Sequence, residues 1–180
     1  MARIVVGVDA SPGARRALAW AAEEARLRGA ALQVVHAYHA QHLGAPFYFP
    51  SRQAVPVMAD EQTEPPPPVG RAASMRDRAQ FEEVFRSRAE KLLETLLGQV
   101  EEAVGDVEVQ RTVVEDRHPA EALVSLSVNA DLLVVGSRGL GGFTEMLLGS
   151  VSHAAVLHAV CPVAVVPSHG EERMPGQPAG

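Results

Sequence analysis

Five short apolar runs rich in β-branched residues, Ile4 to Asp9, Leu32 to Ala37, Val107 to Val114, Leu132 to Val135 and Val163 to Val166, alternate with longer stretches of helical periodicity. Runs this brief read as strands, most of them covered on both faces. Strands that take turns with helices are joined by crossovers, which leaves them parallel and lays helices against both faces of one sheet. The chain is therefore predicted to be an α/β protein, a three-layer α/β/α sandwich around a largely parallel sheet. A chain of 180 residues hides roughly two thirds of its unfolded surface, enough for such a core without disulfides.

Local signals set the element boundaries. Ser11 and Pro12 read as the N-cap and first-turn proline of a helix whose Ala14, Ala17, Leu18, Ala21, Ala22 and Ala25 recur on one face until Gly29 stops it. A second helix resumes near Asp77 and places Phe81, Val84, Phe85, Ala89, Leu92, Leu96 and Val100 on one stripe, ending near Gly105. Pro119 opens a third helix with Leu123, Leu126 and Val128. Gly149 and Ser150 open a last one with Val151, Ala154, Ala155 and Leu157. Between residues 38 and 74 the pattern dissolves around Pro46, Pro50, Pro56 and the run from Pro65 to Pro68. That segment is predicted to be an irregular insert: a lid, a partner-binding segment or a disordered loop. One domain is expected over residues 1–167, with a flexible tail over 168–180.

Composition removes several classes of function. A formal charge of −6 and the lack of a basic run interleaved with aromatics argue against nucleic-acid binding. No apolar run approaches the roughly 20 residues of a membrane span. The chain passes from Arg3 directly into Ile4-Val5-Val6 without a longer apolar leader, and Cys161 is the only cysteine. A cytoplasmic setting is the expectation. Lys91 is the only lysine, so the lysine-dependent phosphate loop of ordinary NTPases is excluded.

The stretch from Val134 to Ser150 points to chemistry. A buried strand runs into a loop containing Gly136, Gly139, Gly141, Gly142 and Gly149 and ends at a helix start. Glycines allow positive φ and close approach of the main chain to a polyanion, while the helix N-terminus adds free amides and about half a positive charge. Ligands of open α/β sheets sit beyond the carboxyl ends of strands, where the winding reverses. Asp9, Ala10 and Ser11 follow the first strand, and Gly136 to Gly139 follow the fourth. Both groups face one crevice if those strands are neighbours, an adjacency that spacing alone leaves open.

Other candidates are weaker. His36, His39 and His42 are spaced by three, but a strand end and loop do not align them for a metal. His153 and His158 fall on different faces of a helix, and Cys161, before Pro162, reads as a small buried residue. Leu140, Phe143, Met146, Leu147 and Leu148 either fold back over the last helix or form a partner surface. Val163 to Val166 would be a bare apolar edge if it ends the sheet. No general base or nucleophile is evident beside the glycine loop. Neither Gly-x-Ser-x-Gly nor His-Ile-Gly-His occurs, and Asp9-Ala10-Ser11 stands where adenylate-forming enzymes carry Ser-Gly-Gly.

The spacing of Gly136, Gly139 and Gly149-Ser150 resembles the nucleotide-binding signature of the universal stress protein family, ATP-binding type. The opening Ile4 to Ser11, the segment Val34 to Ala37, the segment Ala130 to Gly136 and the closing Cys161 to Pro167 are similar to that family's other landmarks, in the same order. The resemblance covers about residues 2–37 and 79–167. It implies a Rossmann-like sheet of order 3-2-1-4-5, of the adenine nucleotide alpha hydrolase kind, with the first and fourth strands adjacent. It also implies that Asp9, with Ala10 and Ser11 beside it, binds ribose and that the main chain at Ala37 meets adenine. Amides of Gly136, Arg138, Gly139, Gly149, Ser150 and Val151 would hold phosphates, with the Ser150 hydroxyl added. The implied ligand is ATP, with or without Mg2+, and the implied assembly a homodimer paired through Val163 to Val166. The leading reading is a dimeric nucleotide-dependent switch of the stress response. The alternatives are a scaffold dimer with a vestigial site and an unidentified protein partner, or a slow ATPase.

Overall fold

β1 (Arg3–Gly7) runs through the centre of a five-stranded sheet, with Ile4, Val5 and Val6 fully excluded from solvent. The computed structural model describes residues 2–38, 75–116, 118–139 and 148–167, without the side chains of 75–81. After β1 come α1 (Pro12–Arg28), β2 (Ala31–Tyr38), α2 (Met75–Gln99), α3 (Glu101–Val104), β3 (Val109–Glu115), α4 (Pro119–Ser127), β4 (Leu132–Gly136), α5 (Ser150–His158) and β5 (Val163–Val166). The sheet order is β3-β2-β1-β4-β5 and every neighbouring pair is parallel. The expected three-layer architecture and strand order are therefore observed.

Alternation along the strands feeds two cores. Ile4, Val6, Leu32, Val34, Leu132 and Val134 pack with the buried faces of α1 and α2, while Val5, Val35, Leu133 and Val135 pack with Leu123 of α4 and Ala155 of α5. Each fully buried Val, Leu or Ile contributes roughly 1.5–3 kcal/mol. The α1 face is mostly alanine, so its axis can lie close to the sheet. Ser11 caps α1 through Oγ, which accepts the Ala14 N–H at 3.2 Å, and Gly29 ends it in the left-handed region at φ 58°.

Several expectations are corrected. The helix predicted to reach Gly105 is two helices. Val100 leaves helical geometry at φ −123° and ψ 22°, which keeps its side chain in the core, and α3 follows. The inward stripe of α2 is Ala89, Leu93, Leu96 and Leu97, continued by Val100 beyond its end, whereas Val84 is 41% exposed and Leu92 only partly buried. A 25-residue helix is about 37 Å long and the eight-residue β2 about 26 Å, so one end of α2 overhangs the sheet. Val128 and Leu157 are likewise exposed, because α4 and α5 turn Ala122, Leu123, Ser127, Ser152 and Ala155 inward. β1 and β3 differ from expectation only at their ends. The segment 39–74 with His39 and His42, residues 140–147 with Leu140, Phe143, Met146 and Leu147, and the tail 168–180 lie outside the described residues. None of the described helices is long and apolar enough to cross a membrane.

Candidate functional site

The sheet is wound one way from β1 through β2 to β3 and the other way from β4 to β5, so the switch lies between β1 and β4. These strands are paired in register, Val6 with Val134 and Gly7 with Val135. Asp9-Ala10-Ser11 and Ser137-Arg138-Gly139 therefore emerge side by side at their carboxyl ends. The contact is close: a Cβ at Gly139 would stand 2.5 Å from Oδ2 of Asp9. Oδ1 of the same carboxylate accepts the Ser11 N–H at 2.9 Å. Because Ser11 performs the helix cap, Asp9 is left to hold the turn with one oxygen and to face the glycine loop with the other.

The glycines act differently from the expectation. Among the described residues only Gly29 and Gly105 have positive φ, so Gly136 and Gly139 serve close approach rather than left-handed geometry, whereas a Cβ at Gly149 would meet nothing closer than 3.5 Å. A Cβ at Gly136 would lie 3.3 Å from the Gly13 main chain, in the first turn of α1. Gly149 also departs from its expected role as a phosphate amide, because its N–H already donates to the Ser137 carbonyl at 2.8 Å and closes the neck of the loop. Gly149 is instead the N-cap of α5, at φ −72° and ψ 164°, and supplies no side-chain cap bond. The first-turn amides of Ser150 and Val151 have no intrahelical acceptor by the geometry of any α-helix, and they carry the positive end of its dipole. Ser150 is exposed, and Val151 packs partly into the core, leaving its main chain for the crevice. Arg138 is half-buried and Gly139 exposed at the crevice edge.

Ala37 completes the opposite wall. Ala31 N–H bonds to Ala2 and the Val35 carbonyl to Val8, whereas Leu32 and Tyr38 bond to the β3 side. By this alternation the main-chain groups of Ala37 point to the β1 side, beyond the last β1 register pair, Gly7 with Val35. Nδ1 of His36 lies 2.9 Å from the Val8 carbonyl and accounts for that histidine as a fastening of the strand end. Neighbouring strands are about 4.8 Å apart, so β2 and β4 are separated by about 10 Å. The crevice thus offers a main-chain edge at Ala37, a carboxylate at Asp9 near its middle, and loop and helix amides on the far side. Such a gradient suits an elongated ligand with a hydrogen-bonding ring, hydroxyls and an anionic end.

Ser152 was not singled out by sequence, although a serine among Val151, Ala154 and Ala155 is a legible irregularity. It is 1% exposed, and its Oγ lies 3.0 Å from both the Ser137 and Gly149 carbonyls. Cys161 stands at the opposite, amino-terminal end of β5, where burial pushes its thiol above the ordinary range. His153 and His158 are exposed on α5. Among the described residues no group of three or more His, Cys, Asp or Glu side chains gathers to hold a metal ion.

Known proteins resemble this chain over most of its length. The sequence profile of the universal stress protein family matches residues 1–167. A universal stress protein of Mycobacterium tuberculosis is 37% identical over 164 residues, covering 91% of this chain and 45% of the relative. The chain thus spans about half the length of the mycobacterial relatives it matches. Among solved structures, a universal stress protein in complex with cAMP superposes with a TM-score of 0.60 at 23% identity, covering 93% of this chain and 98% of that one. The universal stress protein of Archaeoglobus fulgidus in complex with dAMP gives 0.54 at 22% identity, with 92% and 98% covered. With the family profile matched across nearly the whole chain and the strand order that its landmarks imply, the protein belongs to the universal stress protein family.

Proposed function

We propose that the crevice above β2, β1 and β4 binds an adenine nucleotide, with ATP and Mg2+ carried on its phosphates as the first candidate. The observation that carries this reading is the apposition of the Asp9 carboxylate and the Gly139 main chain, beside the α5 N-terminus that no side chain caps. A carboxylate accepts from ribose hydroxyls, and amides at a helix N-terminus donate to phosphate. Family members in complex with cAMP and dAMP support an adenosine phosphate as the ligand class. Asp9 takes the ribose, the Ala37 main chain the adenine edge, and the amides of Gly136, Arg138, Gly139, Ser150 and Val151 the phosphates. Ala10 and Ser11 shape the Asp9 turn, and Gly149 acts through the neck of the loop.

In this reading the protein is a nucleotide-dependent regulatory switch of the stress response, working as a homodimer rather than as an enzyme. β5 stands at the sheet edge with every residue only partly covered, and Val156, Leu157 and Val160 beside it are 51%, 60% and 70% exposed. An apolar edge of that kind is stabilised by pairing with a second copy. The same surface favours a second reading, a scaffold dimer whose nucleotide site is vestigial.

The test begins with purified protein, which is denatured so that any released nucleotide can be identified by mass spectrometry. ATP is then titrated into wild type and Gly139→Val. Equal binding by both removes the site assignment, and absence of binding by wild type removes the function. Light scattering that finds only monomer at micromolar concentration removes the dimer.

A further inference from the structure

We infer that Ser152 is a positioning residue for anion binding, setting the register between the two halves of the phosphate cradle without touching the ligand. The inference rests on the reading of the crevice as a nucleoside-phosphate site. The half on β4 comprises Arg138 and Gly139, and the half on α5 comprises Ser150 and Val151. Among the described residues the halves are hydrogen-bonded to one another at the neck, Ser137 and Gly149, while α5 also packs on the sheet through Val151 and Ala155. The Ser137 carbonyl accepts two donors there, the Gly149 N–H at 2.8 Å and the Ser152 hydroxyl at 3.0 Å. The Ser137 N–H is tied in turn to the Val166 carbonyl of β5 at 2.7 Å.

The hydroxyl proton of Ser152 is shared between Ser137 and the Gly149 carbonyl, also at 3.0 Å, which further accepts the His153 N–H at 2.9 Å. A bond from serine to the carbonyl three residues back is common in helices and does nothing for a loop. The bond to Ser137, fifteen residues away, crosses from α5 to β4. Among the described residues it gives the neck a second hydrogen-bonded attachment beside the Gly149 N–H, and so restrains pivoting about that main-chain bond. Amides that must converge on one phosphate lose affinity when their relative orientation has to be fixed at the moment of binding.

Ser127 supplies an internal comparison. It is also 1% exposed, and its Oγ donates to the Val124 carbonyl at 2.6 Å and accepts the Val160 N–H at 3.1 Å, so it fastens α4 to the turn before β5. Both serines satisfy buried polar groups, but only Ser152 bridges the cradle.

The experiment titrates ATP and adenosine into wild type, Ser152→Ala, Ser152→Thr and Ser127→Ala, with thermal melting of each. Ser152→Ala is expected to weaken ATP roughly five- to tenfold, the worth of one hydrogen bond, while adenosine binds as before. Ser152→Thr, which keeps the hydroxyl, restores ATP affinity. Ser127→Ala lowers the melting temperature and leaves both affinities unchanged. Equal weakening of ATP and adenosine by Ser152→Ala, or no weakening while wild type binds ATP, overturns the inference. Failure of wild type to bind either ligand overturns instead the nucleotide reading. Ser152→Cys, a weaker donor of the same shape, is expected to give the same selective loss. It decides the matter should the alanine variant not fold, an unselective or absent loss counting against the inference.

Discussion

Gly139→Ala is the most informative single perturbation of the crevice. Its Cβ would stand 2.5 Å from Oδ2 of Asp9, while ordinary contact begins at 3.4 Å, so the two must separate by 0.9 Å (3.4 − 2.5). A carboxylate free to swing would absorb that displacement. Asp9 is not free, because its other oxygen accepts the Ser11 N–H at 2.9 Å. Either that bond is lost or the main chain at Arg138 and Gly139 moves away from the crevice. A hydrogen bond to a charged group is worth about 1.5–3 kcal/mol, and partial exposure of Asp9 places the effect near the lower figure. Lost from ribose recognition, about 1.5 kcal/mol weakens ATP roughly tenfold, and lost from the fold it lowers the melting point by about 3–6 °C. Calorimetric titration and thermal melting measure the two separately. Gly149→Ala is the comparator: its φ is −72° and its Cβ would meet nothing closer than 3.5 Å, so ATP affinity stays within about twofold of wild type. If Gly139→Ala binds ATP as tightly as wild type, the Asp9–Gly139 wall is not part of the site.

Other consequences can be checked on stability alone. Ser11→Ala removes the α1 cap at Ala14 and is expected to lower unfolding free energy by about 1 kcal/mol in urea melts; the Asp9 turn uses only the Ser11 main chain and persists. Gly7→Ala would place a Cβ 2.5 Å from Leu123 Cδ1 beneath α4, an overpacking worth about 1–3 kcal/mol. The double variant Gly7→Ala/Leu123→Val should recover part of that loss, and strict additivity in a double-mutant cycle would refute the contact. The Cys161 thiol, raised by burial, is expected to alkylate more slowly at pH 8 in folded protein than in urea. Its linkage follows the same sign: the folded state holds the proton more tightly, so its contribution is full below the unfolded pKa and falls as pH rises toward the folded one. Equal alkylation rates in the two states would contradict this.

Much of the architecture could be read locally. Ser11, Pro12 and Gly29 bound α1 because caps and turn geometry are properties of a few adjacent residues. The β-branched runs from Ile4, Leu32, Leu132 and Val163 each became a strand for the same reason. Periodicity was less reliable for deciding what is buried, as Val84, Val128 and Leu157 show. An apolar residue on a helix is covered only if another element lies over it, and α2 extends past the sheet.

The site divides along the same line. Residue types were enough to select Asp9, the end of β2 and the glycine loop as candidates, since carboxylates, open strand ends and glycines before a helix have intrinsic chemistry. Only tertiary structure brought Asp9 and the glycine loop to one crevice, because the pairing of β1 with β4 joins residues about 130 positions apart through hydrogen bonds that no local pattern encodes. It also decided which polar groups are spent: the Gly149 N–H and the Ser152 hydroxyl both meet the Ser137 carbonyl, and Gly139 rests against Asp9. These assignments depend on which donor reaches which acceptor across separate elements, and that distance exists only once the chain is folded.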